Sequence, residues 1–156
     1  MTWLLRRAGV GDLDAIMAIE QATFATDAWS SDLMRAELQN EHTYYLIAEA
    51  DAVEGYAGLL APQGAGQADI QTIAVIEGAR GHGLGRTLMN ALLSEARTRG
   101  AGDVFLEVRA DNPAAQHLYD SLGFQRIDVR KNYYQPDGVD AIIMRLTMPA
   151  PTVVTA

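Results

Sequence analysis

Residues Ala79 to Leu93 read ARGHGLGRTLMNALL. Glycines alternate at Gly81, Gly83 and Gly85, Arg80 and Arg86 flank them, and an apolar run with helical spacing follows. Alternating glycines let successive N–H groups converge on one point, because no Cβ blocks the approach. A helix N-terminus behind them adds a partial positive charge, and the two guanidinium groups add charge-assisted donors. The stretch therefore predicts an anion site suited to a phosphate or pyrophosphate. Two familiar glycine motifs do not fit. A Walker loop requires G-x-x-x-x-G-K-[ST]; here the GRT segment falls one residue short and Arg86 stands where lysine belongs. A dinucleotide fingerprint requires G-x-G-x-x-G; its last position holds Arg86 when counted from Gly81 and Leu88 when counted from Gly83.

Outward from the loop, the pattern is an α/β one. The helix behind it runs from about Leu84 to Arg99, with Leu84, Leu88, Ala91, Leu92 and Ala96 at helical spacing and Gly100 and Gly102 to stop it. Before the loop, ADIQTIAV is a strand, with Ile70, Thr72 and Ala74 opposite Gln71, Ile73 and Val75. After the helix, DVFLEVR reads as a strand buried on both faces. NPAAQHLYDSLGF is a helix with Asn112 as cap, Pro113 in its first turn and Gly123 as its stop. QRIDVRKNYY and DAIIMRLTM close the chain as two strands around a Pro-Asp-Gly turn. Upstream lie a first strand, a helix capped by Asp12, a short helix capped by Ser30 or Ser31, and a hairpin of TYYLIAEA with VEGYAGLLAP. The expectation is a mixed central sheet with helices on both faces. It forms a single domain over residues 1–148, followed by a flexible Pro/Thr-rich tail over 149–156.

Composition narrows the function. The 156 residues are 49% apolar and 21% charged, the balance of a globular domain. There is no cysteine, which removes disulfides, thiolate metal sites and a cysteine nucleophile. His42, His82 and His117 are scattered and make no metal-ligand spacing. The net charge of −8 argues against direct nucleic-acid binding and favours cationic partners. No apolar run approaches the roughly 20 residues of a membrane span, and the N-terminus has the wrong order for a signal peptide, so the expected location is cytoplasmic.

RGHGLG, directly after a strand ending IAV, resembles the [QR]-x-x-G-x-[GA] acyl-CoA pyrophosphate loop of the GNAT (GCN5-related N-acetyltransferase) superfamily, and FLEVRADNPAAQHLYDSLGF resembles that superfamily's next strand and helix. The resemblance covers Leu4 to Met148. The combination IAV, GHGLGR, LEVRADN, SLGF, NYY and DAIIM is similar to the RimI branch, the bacterial ribosomal-protein alanine N-acetyltransferases. Two positions depart from that pattern: Ala28 stands where proline is expected, and Gly81 where a further basic residue is common.

The resemblance implies a GNAT fold and acetyl transfer from acetyl-CoA to an amine. It implies that Gly81, His82, Gly83, Leu84 and Gly85, between Arg80 and Arg86, cradle the pyrophosphate. Ile73, Ala74 and Val75 pair with the pantetheine as an added strand would, and the Val75 N–H serves as the oxyanion donor. Asn112 reaches the CoA arm while also capping its helix. Glu107 is implied as the general base, acting through water, its burial raising the carboxyl toward a useful range. From the residues alone, a carboxylate paired with Arg109 or facing solvent is an equal reading. Tyr119 is implied as the acid for the leaving thiolate, against the reading of a core tyrosine beside Leu118 and Leu122. Tyr133 and Tyr134, in a hairpin like that of N-terminal acetyltransferases, and Trp29, which otherwise reads as a core anchor, are implied to wall the acceptor pocket. Lacking a cysteine, the reaction is expected to run by direct attack in a ternary complex. The expected acceptor is the N-terminal alanine of a ribosomal protein, with association in a larger assembly left open. Transfer to lysine or a small amine, and an acyl-CoA sensor without turnover, are the alternatives.

Overall fold

A computed structural model describes residues 2–149 of the chain; of the expected tail, only Pro149 falls within them. The strands are β1 (Leu4–Arg7), β2 (Thr43–Glu49), β3 (Val53–Leu60), β4 (Gln67–Val75), β5 (Asp103–Arg109), β6 (Gln125–Tyr134) and β7 (Val139–Thr147). The helices are α1 (Leu13–Phe24), α2 (Ser31–Gln39), α3 (Leu84–Thr98) and α4 (Pro113–Ser121). All seven strands form one sheet in the order β1-β2-β3-β4-β5-β7-β6. Only the β4–β5 pair is parallel, the rest being antiparallel. This is the mixed α/β architecture that the sequence predicts. No helix among the described residues is long and apolar enough to cross a membrane.

Two apolar layers sandwich the sheet. Leu84, Leu88, Leu92 and Ala96 of α3 pack with Leu46, Leu59, Val104, Leu106 and Val108 on one face. Leu13, Ile16, Met17 and Ile19 of α1 and Met34 of α2 pack with Tyr45, Ile47, Tyr56 and Ala74 on the other. The helix ends follow local chemistry. Ser30 Oγ accepts from Leu33 N (3.1 Å), and Asn112 Oδ1 accepts from Ala115 N (3.2 Å). Asp12 occupies the expected cap position of α1 but makes no cap bond. Its carboxylate turns back to accept from Gly9 N and is held by Arg6, with O···N distances of 2.9 Å to each. The charge-assisted pair with Arg6 outcompetes a neutral backbone donor.

Three features place the site. First, β4 and β5 are bonded over only three rungs, Gln67 with Asp103, Ala68 with Val104 and Asp69 with Phe105, and then they diverge. Secondly, β3 and β4 slip register, because Gly58 opposes Thr72 while Leu59 opposes Ile70. Gln71 is thus the extra residue of a β-bulge, and the bulge reverses the faces of β4. Ala68 and Ile70 lie in the α3/α4 layer, whereas Ala74 lies in the α1/α2 layer. The simple alternation expected for ADIQTIAV holds on each side of Gln71 but not across it.

Thirdly, β5 is not buried on both faces. Val104, Leu106 and Val108 are buried, while Phe105 and Arg109 are half-buried and Glu107 is exposed. The Glu107 face is overhung by loops rather than by a packed helix, so the apolar run of β5 overstates its burial.

Gly58 gives a direct test of this packing. A Cβ there would lie 2.2 Å from Cζ of the Tyr45 ring. That ring is 2% exposed, and its hydroxyl donates to Gln71 Oε1 at 2.7 Å, so it has nowhere to go. Gly58→Ala is expected to cost about 1–3 kcal/mol of stability, measured by urea denaturation.

Candidate active site

Where β4 and β5 part, a cleft of about 1090 Å³ opens. That reaches the upper range for small-ligand pockets, roughly 300–1,000 Å³, and accommodates a long cofactor with an acceptor. The cleft is lined by Trp29, Ile73, Ala74, Val75, Arg80, Gly81, Gly83, Leu84, Gly85, Arg86, Glu107, Asn112, Tyr119, Tyr133 and Tyr134. Every residue named from the sequence is therefore brought to one place except His82. The His82 side chain is exposed, its ring centre 6.3 Å from that of Trp3.

At one end is the glycine loop. Gly81 and Gly83 both take φ of +81°, a left-handed conformation that side chains disfavour. Gly85 serves packing instead, since a Cβ there would sit 3.4 Å from Leu118 of α4. Within the described residues, the amides from Gly81 to Arg86 have no hydrogen-bond partner; the first bond of α3 is Thr87 N to Gly83 O. A row of unpaired donors at a helix N-terminus fits an anion. The flanking arginines also tie the loop down. Arg80 Nε donates to Val75 O (3.0 Å), and Arg86 Nη2 to Ser121 Oγ of α4 (2.6 Å).

In the middle lies the open edge of β4. Ile76 N donates to Glu54 O across β3 (2.9 Å). Antiparallel alternation then turns the amides and carbonyls of Ile73 and Val75 away from β3, toward the gap left by β5. The Val75 carbonyl is taken by Arg80, so among the described residues Val75 N–H and both backbone groups of Ile73 stay free for a strand-like ligand. Ala74 directs its backbone to Tyr56 and its side chain into the α1 layer.

The side chains of the gap differ in their electrostatics. Glu107 has a one-third exposed side chain, and its Oε1 accepts from Arg130 Nη1 (3.1 Å), not from Arg109. The full burial expected of this side chain is therefore not observed. Asp69, at the last bonded β4–β5 rung, is the carboxyl raised above its ordinary range, by burial and then by the charge of Glu107. Tyr119 is 7% exposed, and burial alone pushes its phenol up to about 12. Its ring meets Phe124 edge-on at 6.1 Å. Tyr133 and Tyr134 stack edge to face, ring centres 5.1 Å apart. The Tyr133 phenol is raised chiefly by the neighbouring Glu107 carboxylate, and burial pushes that of Tyr134 up to about 12.

Three contributors were not visible in the sequence. Glu20 is 1% exposed, yet it lines the cleft and accepts from Trp29 N (3.0 Å), Thr72 Oγ1 (3.2 Å) and Tyr56 Oη. Gln116 fastens α4 to the end of β5, its Nε2 donating to the carbonyls of Arg109 (3.0 Å) and Ala110 (3.1 Å). Asp69 is the third. Their isolated polar letters carry no local signal, and only the fold gives them partners.

The Acetyltransferase (GNAT) family profile matches residues 13–124, which include the loop, the diverging strands and α4. The chain belongs to the GNAT acetyltransferase family. Like other GNAT members, it uses acetyl-CoA as acetyl donor. Among its relatives, N-alpha-acetyltransferase RimI of Mycobacterium tuberculosis is 40% identical over 122 residues, 76% of this chain and 75% of that protein. The crystal structure of the ribosomal-protein-S18-alanine N-acetyltransferase from Escherichia coli superposes with a TM-score of 0.85 at 33% identity, covering 99% of this GNAT chain and all of that one. An uncharacterized protein of Mycobacterium leprae is also 40% identical over 138 residues, but this chain spans only 38% of its length.

Proposed function

We propose that the protein acetylates the free α-amine of a protein N-terminus, with the N-terminal alanine of a ribosomal protein as acceptor. The observation that carries this reading is convergence. The free edge of β4, Glu107 and Tyr119 open into one cleft whose far walls are Trp29 and the Tyr133–Tyr134 pair. The names of the Mycobacterium tuberculosis and Escherichia coli relatives support the same acceptor class.

Acetyl-CoA, when bound, supplies an acetyl group activated as a thioester. The amides from Gly81 to Arg86, with Arg80 and Arg86, hold the pyrophosphate. Ile73 and Val75 hold the pantetheine by backbone bonds. Asn112 has its side-chain oxygen committed to the α4 cap, which leaves its amide nitrogen as the donor to the CoA arm. Val75 N–H polarises the acetyl carbonyl. The acceptor α-ammonium, with a pKa of about 7.7–8.0, needs only a mild base, and the Glu107 carboxylate takes its proton through water. The Tyr119 hydroxyl gives its proton to the departing sulfur. Trp29, Tyr133 and Tyr134 confine a small first side chain. Direct attack in a ternary complex requires no acyl-enzyme.

Initial rates on three acceptors test the reading: a peptide with free N-terminal alanine, the same peptide blocked at its N-terminus but carrying an internal lysine, and a polyamine. Turnover is expected on the first alone. Equal or better rates on the lysine peptide or the polyamine would overturn the acceptor. Acetyl-CoA binding without turnover on any amine would favour a sensor.

A further inference from the structure

Arg109 ends β5, two residues beyond Glu107 on the same face, and its side chain is one-fifth exposed. Its guanidinium meets three segments that are far apart in sequence. Nε and Nη2 grip Asp111 in the β5–α4 connection, at 2.9 and 3.1 Å. Nη1 donates to Asp27 in the α1–α2 connection. Nη2 also donates to Asp137 in the β6–β7 turn (3.2 Å), where Thr26 Oγ1 reaches the same carboxylate at 3.3 Å. The guanidinium carbon lies 5.1 Å from the centre of the Tyr134 ring, within cation–π range. Asp27 is two residues before Trp29, and Asp137 is three residues after Tyr134. One cation thus fastens together the two chain segments that bring Trp29 and the Tyr133–Tyr134 pair to the cleft.

We propose that Arg109 is a positioning residue that clamps the α1–α2 connection to the β6–β7 turn and so sets the width of the acceptor mouth. The pocket's use by an acceptor rests on the function proposed above; the clamp itself rests on the ion-pair geometry. Without the guanidinium, three carboxylates face one another with no cation between them and repel. Lysine cannot substitute, because a single ammonium has no planar fork to span three partners. The donor half of the cleft takes its ligand contacts from β4 and the glycine loop, which Arg109 does not touch, and from Asn112, whose side chain is held by Ala115 N of α4 rather than by the guanidinium.

The test combines amide hydrogen exchange with steady-state kinetics on wild type, Arg109→Lys and Asp27→Asn. The kinetics use whichever amine the wild type acetylates, so failure of the N-terminal reading does not hide the result. In Arg109→Lys, exchange is expected to quicken over both 25–28 and 135–138. Its KM for the acceptor is expected to rise roughly tenfold while the KM for acetyl-CoA stays within about twofold. Asp27→Asn, which removes the charge from one arm, is expected to loosen 25–28 more than 135–138. Unchanged exchange in either segment of Arg109→Lys overturns the clamp. Equal rises in both KM values overturn it as well, because they report general destabilisation. Quickened exchange with an unchanged acceptor KM overturns the assignment of mouth width to Arg109.

Discussion

Glu107→Gln is expected to lower kcat by about 10²–10⁴-fold, the range for loss of a general base, with the KM for acetyl-CoA unchanged. The substitution is close to isosteric. A glutamine oxygen still accepts from Arg130 Nη1, now 3.1 Å from Glu107 Oε1, so the β5–β6 contact survives. What disappears is the ability to take a proton. Because the Glu107 side chain is one-third exposed and ion-paired, the substitution also leaves stability nearly unchanged. Asp69→Asn is the companion variant. Asp69 is the more buried carboxyl of the gap and the one raised by its surroundings. A larger loss in Asp69→Asn than in Glu107→Gln would move the base from β5 to β4.

Tyr119→Phe is expected to lower kcat by about 10²-fold while changing stability by less than about 1 kcal/mol. Among the described residues the Tyr119 hydroxyl makes no hydrogen bond, so its removal leaves no partner unsatisfied. The ring keeps its edge-on contact with Phe124. A tyrosine that only fills the core would keep its rate in Tyr119→Phe. The pH dependence follows from the sign of the shift. Burial raises the phenol to about 12, so the proton-donating form persists above the ordinary value near 10. The wild-type rate is expected to hold through pH 10. A fall with a midpoint near 10 that vanishes in Tyr119→Phe would show a phenol less shielded than this site provides.

The parts of the site legible in the sequence are those with local causes. Gly81 and Gly83 take left-handed conformations, and the leucines of α3 follow one face, so loop and helix are written in adjacent letters. Asn112, Pro113 and Gly123 mark α4 for the same reason. The bulge at Gln71 is not legible. Both faces of β4 are covered, so a reversal of sides leaves the burial alternation intact. Glu107 looked buried because its neighbours in β5 are apolar; its exposure depends on how far the α1–α2 and β6–β7 connections overhang that face. Arg109 reads as a partner for Glu107, but its guanidinium pairs with Asp111, Asp137 and Asp27, the last 82 residues away. Glu20 reads as one more charge on an amphipathic helix until Tyr56 and Thr72 close around it.

The reaction assigned to this cleft is delivery of acetyl to an α-amine. One peptide with a free N-terminal alanine and an internal lysine tests it, incubated with the enzyme and acetyl-CoA and sequenced by tandem mass spectrometry. A single acetyl group on the alanine nitrogen is expected. An acetyl group on the lysine side chain, with the N-terminus left free, would contradict it.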